Sequence, residues 1–566
     1  MAQITGFDSI KIGVDFGTKY SSVAWALSSI PEEINVIDRW VTGRNRTSAK
    51  VPSEISYGPS GVKWGFGIPY KEPRLAWFKL LLDPSKYSLA NATNSPLTKT
   101  KQMIPVGKRP VNVVADYLSE LHKHTIDHLE KTLGKEVVKV SPLDFTLTVP
   151  AVWSDAAKNL TLQAAELAGL GRKSSLRLIS EPEAAALCCL RDIEPNHLQV
   201  GDTFVVADCG DGTVDVLSYT ITRKSPLEVV ECVEGTGGMC GSTAINERFE
   251  DLVRRRIGTR SIMLVTGFPR FDKMKPEGRI HMMKEFNDSL KPGFTDSEDE
   301  DIFTCPIPGV ADDANAGIED GLFVIDREEM RKIFDPVVQK VIQLVQQQVK
   351  EVEKLETRQV KALVLAGGFG ESEYLRCRLE AEIRTKDGKK IIILQPCNAW
   401  TAVVRGAVIR GLEGEMVQTR KVTKHYGTSY NTRFIEGLHP KRDAYIDPFT
   451  GKEMCRRRMQ WYIYRQVNPY PPRTQAHHPV CPPNHISWIS PTVLTLVTDV
   501  YTVCDLKVDL SKIPKDKFKK KIAINGQPVY RLTFDLLMSI QSATLVFEFE
   551  VDGKVYNDVK ACYNYL

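Results

Sequence analysis

The sequence lacks the cysteine pattern of a disulfide-stapled or zinc-binding protein. Its 566 residues include 12 cysteines, but no two of them form a Cys-x-x-Cys pair and their spacing is irregular. Several, such as Cys188, Cys189 and Cys209, stand inside apolar runs, where a free cysteine behaves as a small buried hydrophobic residue. Free, buried thiols are typical of a reducing compartment, where disulfides do not persist.

Long apolar runs are also missing. Met1–Ile10 has neither the basic start nor the apolar core of a signal peptide. The stretch Ile486–Val497 is free of charge, but Ser, Pro and Thr interrupt it and it is too short to span a bilayer. We therefore expect a soluble, intracellular protein located in the cytoplasm, with the nucleus as a second location.

A dominant charge is the third absence. The 75 basic and 70 acidic residues leave a net charge of only +5, which gives no electrostatic reason to expect nucleic acid or a membrane as a partner. The short basic clusters Arg456–Arg458 and Lys517–Lys521 are interpreted as solvated loop faces. The chain also lacks the pattern Gly-x-x-x-x-Gly-Lys-Ser/Thr, which excludes a P-loop nucleotide site.

The stretch Phe204–Leu217 carries the strongest chemical signal. An apolar β-type run delivers Asp208 to the turn Gly210-Asp211-Gly212-Thr213, and a second apolar run follows. Glycines let backbone N–H groups face an anion, and an aspartate at a strand end can hold Mg²⁺ through the waters that this ion keeps. Taken alone, the same pattern also fits an ordinary β-hairpin with a tight turn.

A second copy of this pattern lies near the start of the chain. Ile10–Val14 is an apolar run that leads into Asp15-Phe16-Gly17-Thr18-Lys19 and a second strand. Two such copies far apart in one chain indicate two similar halves that face each other. Facing halves would place Asp15, Asp208 and both glycine turns around one phosphate–metal cluster, so the pair of copies favours a binding site over two unrelated hairpins.

Length and element order predict at least two folding units. A chain of 566 residues is too long for one core. Up to about residue 414, strands alternate with helices, such as Pro110–Leu133 ended by Gly134 and the helix that Ser154 caps, which indicates an α/β fold. From residue 424 the chain alternates in β fashion between proline-rich loops, which predicts a separate β-rich domain over 424–566.

Four motifs resemble the actin-type ATPase fold and, more closely, the seventy-kilodalton heat-shock protein family. They are Gly13–Thr18, Leu147–Ala151 with Ile179–Ala186, Asp208–Asp215, and Leu363–Gly370. The resemblance implies a duplicated, ribonuclease H-like α/β fold of two lobes over residues 10–414, with lobe I at about 10–200 and lobe II at about 201–414. It also implies that ATP or ADP binds between the lobes with Mg²⁺, and that the smaller β-rich domain follows.

The resemblance also implies roles at the site. Asp15 and Asp208 would hold the hydrated Mg²⁺, and Glu181 would orient the attacking water or take its proton. The set implied to be catalytic is Asp15, Glu181, Asp208 and Thr213. The residues implied to bind phosphate or nucleoside are Gly17, Thr18, Lys19, Gly210, Gly212, Thr213, Gly237, Gly238, Gly367 and Gly368. For Gly237 and Gly238 a structural turn is the alternative.

Several positions depart from the family pattern. Asp211 puts a charge in the anion-binding turn where the family has glycine, while Lys19 replaces a threonine and could compensate for that charge. Glu371 and Trp400 stand where the family has an arginine and an aspartate. Lys79 is the candidate for the family's phosphate-contacting lysine.

The segment Gly411–Lys424 has no leucine-rich linker and the last residues read as strands, which predicts a divergent branch without the family's C-terminal helical lid. The predicted function is an ATP-binding, slowly ATP-hydrolysing chaperone-like protein, with client polypeptides and co-chaperones as partners besides ATP. Asp211 and Glu371 keep an alternative open, a scaffold that senses nucleotide without turnover. A small-molecule kinase of the same superfamily is disfavoured by Ile179–Ala186 and by the extra β-rich domain.

Overall fold

The structure is a computed structural model that describes residues 8–563, except 41–46, 60, 70, 84–95, 173–175, 194–196, 259–270, 272–273, 356–357, 397, 422–425, 464–472, 479–487, 490–499, 502–503, 541–544 and 557–558. The predicted start of the β-rich region at Lys424 and most of Ile486–Val497 lie outside the described residues. Within the described part of the chain, no helix is both long enough and apolar enough to cross a membrane.

The first sheet comes from residues before position 181. Its part of the chain holds β1 Ile10–Phe16, β2 Tyr20–Leu27, β3 Asn35–Val36, β4 Val51–Pro52, β5 Glu54–Gly58, β6 Gly61–Trp64, β7 Leu75–Ala76, β8 Leu143–Val149 and β9 Arg177–Ser180. The sheet has the order β3-β2-β1-β8-β9, with β4 paired to β2. Strand β1 runs antiparallel to β2 and parallel to β8, which runs parallel to β9.

The second sheet repeats this pairing scheme. Its part of the chain holds β10 Thr203–Cys209, β11 Val214–Lys224, β12 Leu227–Glu231, β13 Thr236–Gly238, β14 Ile302–Pro306, β15 Ile318–Glu319, β16 Leu322–Asp326, β17 Val360–Ala366, β18 Ile392–Leu394 and β19 Val417–Thr419. The order is β18-β17-β10-β11-β12-β19, with β13 paired to β11. Strand β10 runs antiparallel to β11 and parallel to β17, and β17 runs parallel to β18. The internal duplication that the two sequence motifs predict is therefore present in the topology.

Helices pack against both sheets, and local capping signals place several of their ends. The helix Pro110–Leu133 has the predicted bounds, and Gly134 follows it with φ +92°. Ser154 Oγ accepts a hydrogen bond from the N–H of Ala157 at 3.2 Å, as a capping residue does. The helices are Pro96–Met103, Pro110–Leu133, Lys135–Val140, Asp155–Leu167, Glu181–Asp192, Thr243–Gly258, Pro276–Glu285, Arg327–Glu353, Glu373–Glu382 and Ala399–Glu413, and the seventh continues through the π-helical turn Phe286–Leu290 into Lys291–Gly293.

Two helices join the sheets and fix the base of the space between them. The helix Glu181–Asp192 packs against β10, and the helix Ala399–Glu413 packs against β1 and against Glu181–Asp192. A Cβ atom at Gly406 would lie 1.7 Å from the carbonyl oxygen of Ala184, so only glycine permits this crossing. The close crossing holds the first turn of Glu181–Asp192 between the two sheets.

The remaining chain forms several small sheets. Its strands are β20 Tyr426–Arg433, β21 Ala444–Ile446, β22 Glu453–Ile463, β23 Arg473–His478, β24 Trp488–Ile489, β25 Val500–Tyr501, β26 Cys504–Val508, β27 Lys519–Ile522, β28 Pro528–Arg531, β29 Phe534–Ile540, β30 Leu545–Val551, β31 Lys554–Tyr556 and β32 Val559–Tyr563. They pair as β20-β22-β21, β23-β29-β30-β31, β24-β25, β26-β32 and β27-β28. The region is rich in strands, and its status as a separate domain stays a prediction.

Candidate functional site

The two glycine turns predicted from the sequence face each other across a cleft. A Cβ atom at Gly212, in the turn between β10 and β11, would lie 3.5 Å from Thr18 Oγ1, in the turn between β1 and β2. The fold thus brings together two motif copies that are far apart in the chain. Residues from both sheets line the cleft between them, namely Asp15, Gly17, Thr18, Lys19, Tyr20, Lys50, Lys79, Glu181, Asp208, Gly210, Asp211, Gly212, Thr213, Gly367, Gly368 and Val403.

Gly237 and Gly238 are placed beside this cleft and not among the residues that line it. They belong to β13, where Gly237 pairs with Asp215 and Gly238 with Val214. A Cβ atom at Gly237 would lie 2.9 Å from the carbonyl oxygen of Val214 and 3.0 Å from Asp215 Oδ1. The close approach of two strands therefore accounts for Gly237, which lies in a strand and not in the turn that the alternative expects, and contact with a phosphate stays a prediction.

Gly210 also serves the turn itself. Its N–H donates to the carbonyl oxygen of Thr213 at 3.0 Å, and its carbonyl oxygen accepts from the N–H of Ser242 at 3.2 Å. In this structure the N–H of Gly210 therefore closes the turn, and contact of Gly210 with a phosphate stays a prediction. Gly212 and Thr213 remain at the open side of the turn, opposite Thr18.

Asp15 is buried near the end of β1 and is held by the side chains of Thr148, Lys50 and Ser22. Its Oδ1 accepts a hydrogen bond from Thr148 Oγ1 at 2.9 Å, and its Oδ2 lies 3.3 Å from Lys50 Nζ. Lys50 precedes β4, which pairs with β2, so the sheet brings this lysine to the end of β1. Sequence reasoning missed Lys50, since no local pattern distinguishes it from other loop lysines.

Asp208, at the end of β10, is the corresponding carboxylate of the second sheet. Burial, together with the nearby Glu181, Asp215 and Asp15, raises its pKa well above the usual range of an aspartate. Burial and Glu181 likewise raise the pKa of Asp215 to about 7. Asp215 Oδ1 is buried and accepts no hydrogen bond within the described residues.

This donor set fits a hydrated Mg²⁺. Asp15, Glu181 and Asp208 place three buried carboxyl groups in the cleft, and a divalent cation would supply the positive charge that their ionised forms need. In the described part of the chain, no three His, Cys, Asp or Glu side chains converge closely enough to ligate a metal directly. An ion that keeps most of its waters and touches few protein atoms satisfies both observations.

Gly367 packs directly on Asp208. It has φ +84°, and a Cβ atom there would lie 2.5 Å from Asp208 Oδ1 and 2.4 Å from the carbonyl oxygen of Cys209. Both the left-handed backbone and the close approach therefore require glycine. The third glycine motif is thus fixed against the strand that carries the predicted metal carboxylate.

Glu181 begins the helix Glu181–Asp192 and points to a buried lysine. Its Oε1 accepts from Lys79 Nζ at 2.7 Å, and Lys79 lies in the 3₁₀ helix Phe78–Leu82. The ammonium also lies 5.8 Å from the ring of Phe16 and 5.3 Å from that of Trp153. Burial raises the pKa of Glu181, against the opposing influence of Lys79. The candidate lysine of the sequence analysis therefore lies in the cleft, next to the predicted general base.

Asp211 lines the cleft, and its carboxylate is held by a serine from the second part. Its Oδ1 accepts from Ser242 Oγ at 2.9 Å, where the helix Thr243–Gly258 begins. Burial would raise the pKa of Asp211, but Lys19, Lys291 and the Ser242 hydrogen bond together lower it. The negative charge of Asp211 is therefore offset by Lys19, Lys291 and the Ser242 hydrogen bond.

Lys291 and Lys19 meet at one amide. Lys291 Nζ donates to Asn287 Oδ1 at 3.0 Å and to Asn246 Oδ1 at 3.2 Å, and Lys19 Nζ lies 3.4 Å from the same Asn287 oxygen. Burial and Lys19 lower the pKa of Lys291 to about 8. Lys19 comes from the first sheet and Asn287 from a helix of the second part, so this contact bridges the cleft. No local sequence pattern distinguishes Lys291 or Asn287 from other polar residues of this region.

The two remaining departures, Trp400 and Glu371, lie together at the third glycine motif. The backbone N–H of Trp400 donates to Glu371 Oε1 at 2.7 Å. A Cβ atom at Gly368 would lie 3.3 Å from the indole ring of Trp400. Burial raises the pKa of Glu371, against the opposing influence of Trp400 and Lys50. A flat aromatic side chain thus borders the glycines where a nucleoside was predicted.

A segment after the last helix reaches back to the helix of Glu181. Strand β19 adds to the second sheet beside β12, and Arg420, just beyond it, is buried. Arg420 donates to both carboxylate oxygens of Glu183 at 3.1 Å, and its Nη1 also lies 3.4 Å from Glu231 Oε1. Glu231 additionally accepts from the backbone N–H of Lys421 at 2.6 Å. Sequence analysis did not single out Arg420.

The comparisons with known proteins all lead to heat-shock and chaperone proteins. Residues 86–263 match the family model described as Hsp70 protein. The chain is 24% identical over 522 residues to heat shock 70 kDa protein 12B of Homo sapiens, and the aligned region covers 79% of this chain and 74% of that protein. It is 23% identical over 519 residues to heat shock 70 kDa protein 12A of Mus musculus, covering 76% and 73%. A chaperone protein HscA homolog of Acinetobacter baumannii is 31% identical over 218 residues, covering 37% and 32%.

Proposed function

Because the chain carries an Hsp70 family domain and is a divergent homologue of heat shock 70 kDa proteins 12A and 12B, we propose that it binds ATP or ADP with Mg²⁺ in the cleft and hydrolyses ATP slowly. The Hsp70 family has the actin-like two-lobe ATPase fold and in general binds nucleotide with Mg²⁺. The observation that carries the proposal is the opposition of the Gly212 and Thr18 turns, with Asp208 and Asp15 at the ends of the strands that lead into them.

The phosphates would bind between the two turns. Thr18 and Thr213 offer hydroxyl groups, and the glycines beside them let backbone N–H groups approach the anion. Lys19 adds a positive charge at the same side of the cleft. The bound Mg²⁺, held through its waters by Asp15 and Asp208, would supply the positive charge that phosphoryl transfer needs.

Hydrolysis would use Glu181 as the base. Water attacks the γ-phosphorus, the bond to the β–γ bridging oxygen breaks, and ADP and phosphate leave while Glu181 orients the water and takes its proton. The raised pKa of Glu181 makes its carboxylate a stronger base than an exposed one. Lys79 holds this carboxylate at 2.7 Å and sets its position.

The same contact supports the second candidate function, a nucleotide-sensing scaffold. In the described structure Lys79 Nζ already occupies Glu181 Oε1, and its positive charge opposes the rise in the pKa of this carboxylate that burial causes. A protein whose base is held in this way would bind ATP and ADP with little turnover. A small-molecule kinase gains no support, because the homologues that carry the argument are heat-shock and chaperone proteins.

The domain plan and the partners belong to the proposal as well. Residues 10–414 would form the nucleotide-binding part, with lobes at about 10–200 and 201–414, and 424–566 would form a β-rich domain that follows nucleotide state. Homology to a chaperone protein HscA homolog supports client polypeptides and co-chaperones as partners. Lobe closure around nucleotide, a common response to ligand, would link the two parts.

One experiment separates the two functions. Calorimetry measures Mg-ATP and ADP binding to the full chain, and a phosphate-release assay measures turnover of the same preparation beside Asp208→Asn. Binding with turnover above that of Asp208→Asn supports the ATPase. Binding without such turnover supports the scaffold, and no binding of either nucleotide would contradict both.

A further inference from the structure

The hairpin of β27 and β28 stands apart from the other sheets. Lys519–Ile522 and Pro528–Arg531 pair only with each other among the described strands. All four side chains of β27 are exposed, so neither face of this strand is covered. A two-stranded hairpin by itself is at best marginally stable in water, so a further contact would stabilise this one.

The end of the hairpin carries exposed apolar side chains next to those of a second turn. Ile522 is 75% exposed and Ile524 is 67% exposed, and in the turn after β21 Phe449 is 54% exposed. The N–H of Ile524 donates to the carbonyl oxygen of Phe449 at 3.3 Å, so the two turns touch. Ile446, at the end of β21, is 63% exposed. We call these four residues, Ile446, Phe449, Ile522 and Ile524, the apolar tip; a group of exposed apolar side chains on touching turns is typical of an interaction site.

Positive charge lies along the hairpin behind the apolar tip. Lys519, Lys520 and Lys521 are exposed and consecutive, and Arg531 pairs with Lys519 in the register of the hairpin. At about 3.3 Å per strand residue, Lys519 lies roughly 10 Å from Ile522 along the strand. The lysines therefore lie along the strand and the exposed isoleucines lie at its end and in the turn that follows.

We propose that the apolar tip and Lys519–Lys521 dock the protein on an anionic lipid membrane. The boundary between lipid head groups and acyl chains accepts apolar side chains to a depth of about 5–10 Å, and lysines behind them then meet the lipid phosphates. Charge complementarity requires an anionic partner, and the order of groups along the hairpin matches the order of layers in a bilayer. An acidic protein is the competing partner, and the experiment below distinguishes it from a lipid surface.

The inference revises the interpretation of Lys517–Lys521 as a solvated loop face. A nearly neutral whole-chain charge says nothing about a local cluster, and the fold places this cluster behind exposed isoleucines. None of these residues lines the cleft between the two sheets, so the membrane contact stands independently of nucleotide binding.

Vesicle co-sedimentation of the full chain tests the proposal. Vesicles of pure phosphatidylcholine are compared with vesicles that contain 30 mol% phosphatidylserine, at low and at high salt. We expect binding only to the phosphatidylserine vesicles, weakened by salt because exposed charges are screened. Replacing all three lysines by glutamine, K519Q/K520Q/K521Q, should weaken binding by roughly a hundredfold, at about fivefold for each lysine. Ile522→Ser with Ile524→Ser should weaken it roughly tenfold.

Matched controls remove equal charge or equal apolar surface elsewhere. K386Q/K389Q/K390Q removes three exposed lysines, and Ile302→Ser with Ile392→Ser removes two exposed isoleucines, all far from the hairpin in the chain. Both controls should bind as the wild type does. No binding to phosphatidylserine vesicles, or an equal loss in the controls, would overturn the proposal. Displacement by polyglutamate together with unchanged binding of the isoleucine variant would instead indicate an acidic protein partner and also overturn it.

Discussion

Arg420 donates two hydrogen bonds of 3.1 Å to the carboxylate of Glu183. Glu183 lies two residues after Glu181 in the first turn of the same helix. The arginine comes from the segment that follows the last helix of the two-sheet part, so a residue near position 420 holds the helix that presents the predicted base. Both groups of the ion pair are buried. A buried ion pair therefore connects the segment around residue 420 to the helix Glu181–Asp192 at the cleft.

Arg420→Ala should lower the free energy of unfolding by about 3–5 kcal/mol, because it leaves the carboxylate of Glu183 buried without a counter-charge. Denaturant unfolding measures the loss. The double variant Arg420→Met, Glu183→Met removes both charges and should lose less than the single variant. Glu231 loses Arg420 in both proteins but keeps the N–H of Lys421, so it does not bias the comparison. Equal losses in the two variants would show that the pair is not the cause.

Glu181→Gln should slow ATP hydrolysis by about 10²–10⁴-fold while ATP binding changes little, because an amide cannot take the proton of the attacking water. Single-turnover phosphate release measures the rate, and calorimetry measures binding. Glu298→Gln, a change to an exposed glutamate, serves as the control and should behave as the wild type. Hydrolysis by Glu181→Gln at the wild-type rate would exclude Glu181 as the base.

ATP binding should weaken by roughly tenfold as the pH rises above about 8. Lys291, which faces Lys19, Asp211 and Asp288, has its pKa lowered to about 8, so it loses its positive charge behind the phosphate turn above that pH. Calorimetry at pH 7 to 9.5 measures the affinity. Lys291→Arg keeps its charge and should show no such fall, whereas Lys291→Met should bind weakly at every pH. A fall of the same size in the arginine variant would assign the titration to another group.

Stability provides an independent check on the same lysine. Its pKa is about 8 in the folded chain and 10.5 when unperturbed, so between these values the unfolded chain binds the extra proton. The free energy of unfolding contributed by Lys291 therefore rises with pH over this window, and that rise should be absent from Lys291→Met. Denaturant midpoints at pH 7.5 and 9.5 measure the difference.

Gly367→Ala should abolish or weaken Mg-ATP binding by at least about tenfold, because the added methyl group would collide with Asp208 Oδ1 and shift the predicted metal carboxylate. Gly388→Ala is the matched control. Gly388 has φ +76°, close to the +84° of Gly367, but a Cβ atom there meets nothing within 4 Å. Backbone strain should cost both variants about 1 kcal/mol of stability, and Gly367→Ala should lose more because its Cβ atom would also meet the carbonyl oxygen of Cys209 at 2.4 Å. Only Gly367→Ala should lose binding, and an equal loss in Gly388→Ala would assign the effect to strain alone.

Local sequence patterns predicted much of the fold. The helix Pro110–Leu133 and the cap at Ser154 were predictable, because helical periodicity and capping depend on residues within one or two turns of each other. The two Asp-x-Gly hairpins were predictable for the same reason, since each is complete within a short stretch. Their duplication also indicated that the turns would face each other, which the geometry at Gly212 and Thr18 confirms.

The tertiary structure decided which charges meet. Lys50, Lys291 and Arg420 reach the cleft or its supporting helix from segments with no distinctive pattern, because their positions depend on how sheets and helices pack over long distances in the chain. The sequence showed that Asp211 is a charge in an anion-binding turn. Only the fold shows that Ser242 and two lysines hold it, since the direction of a side chain is set by the partners that packing brings to it.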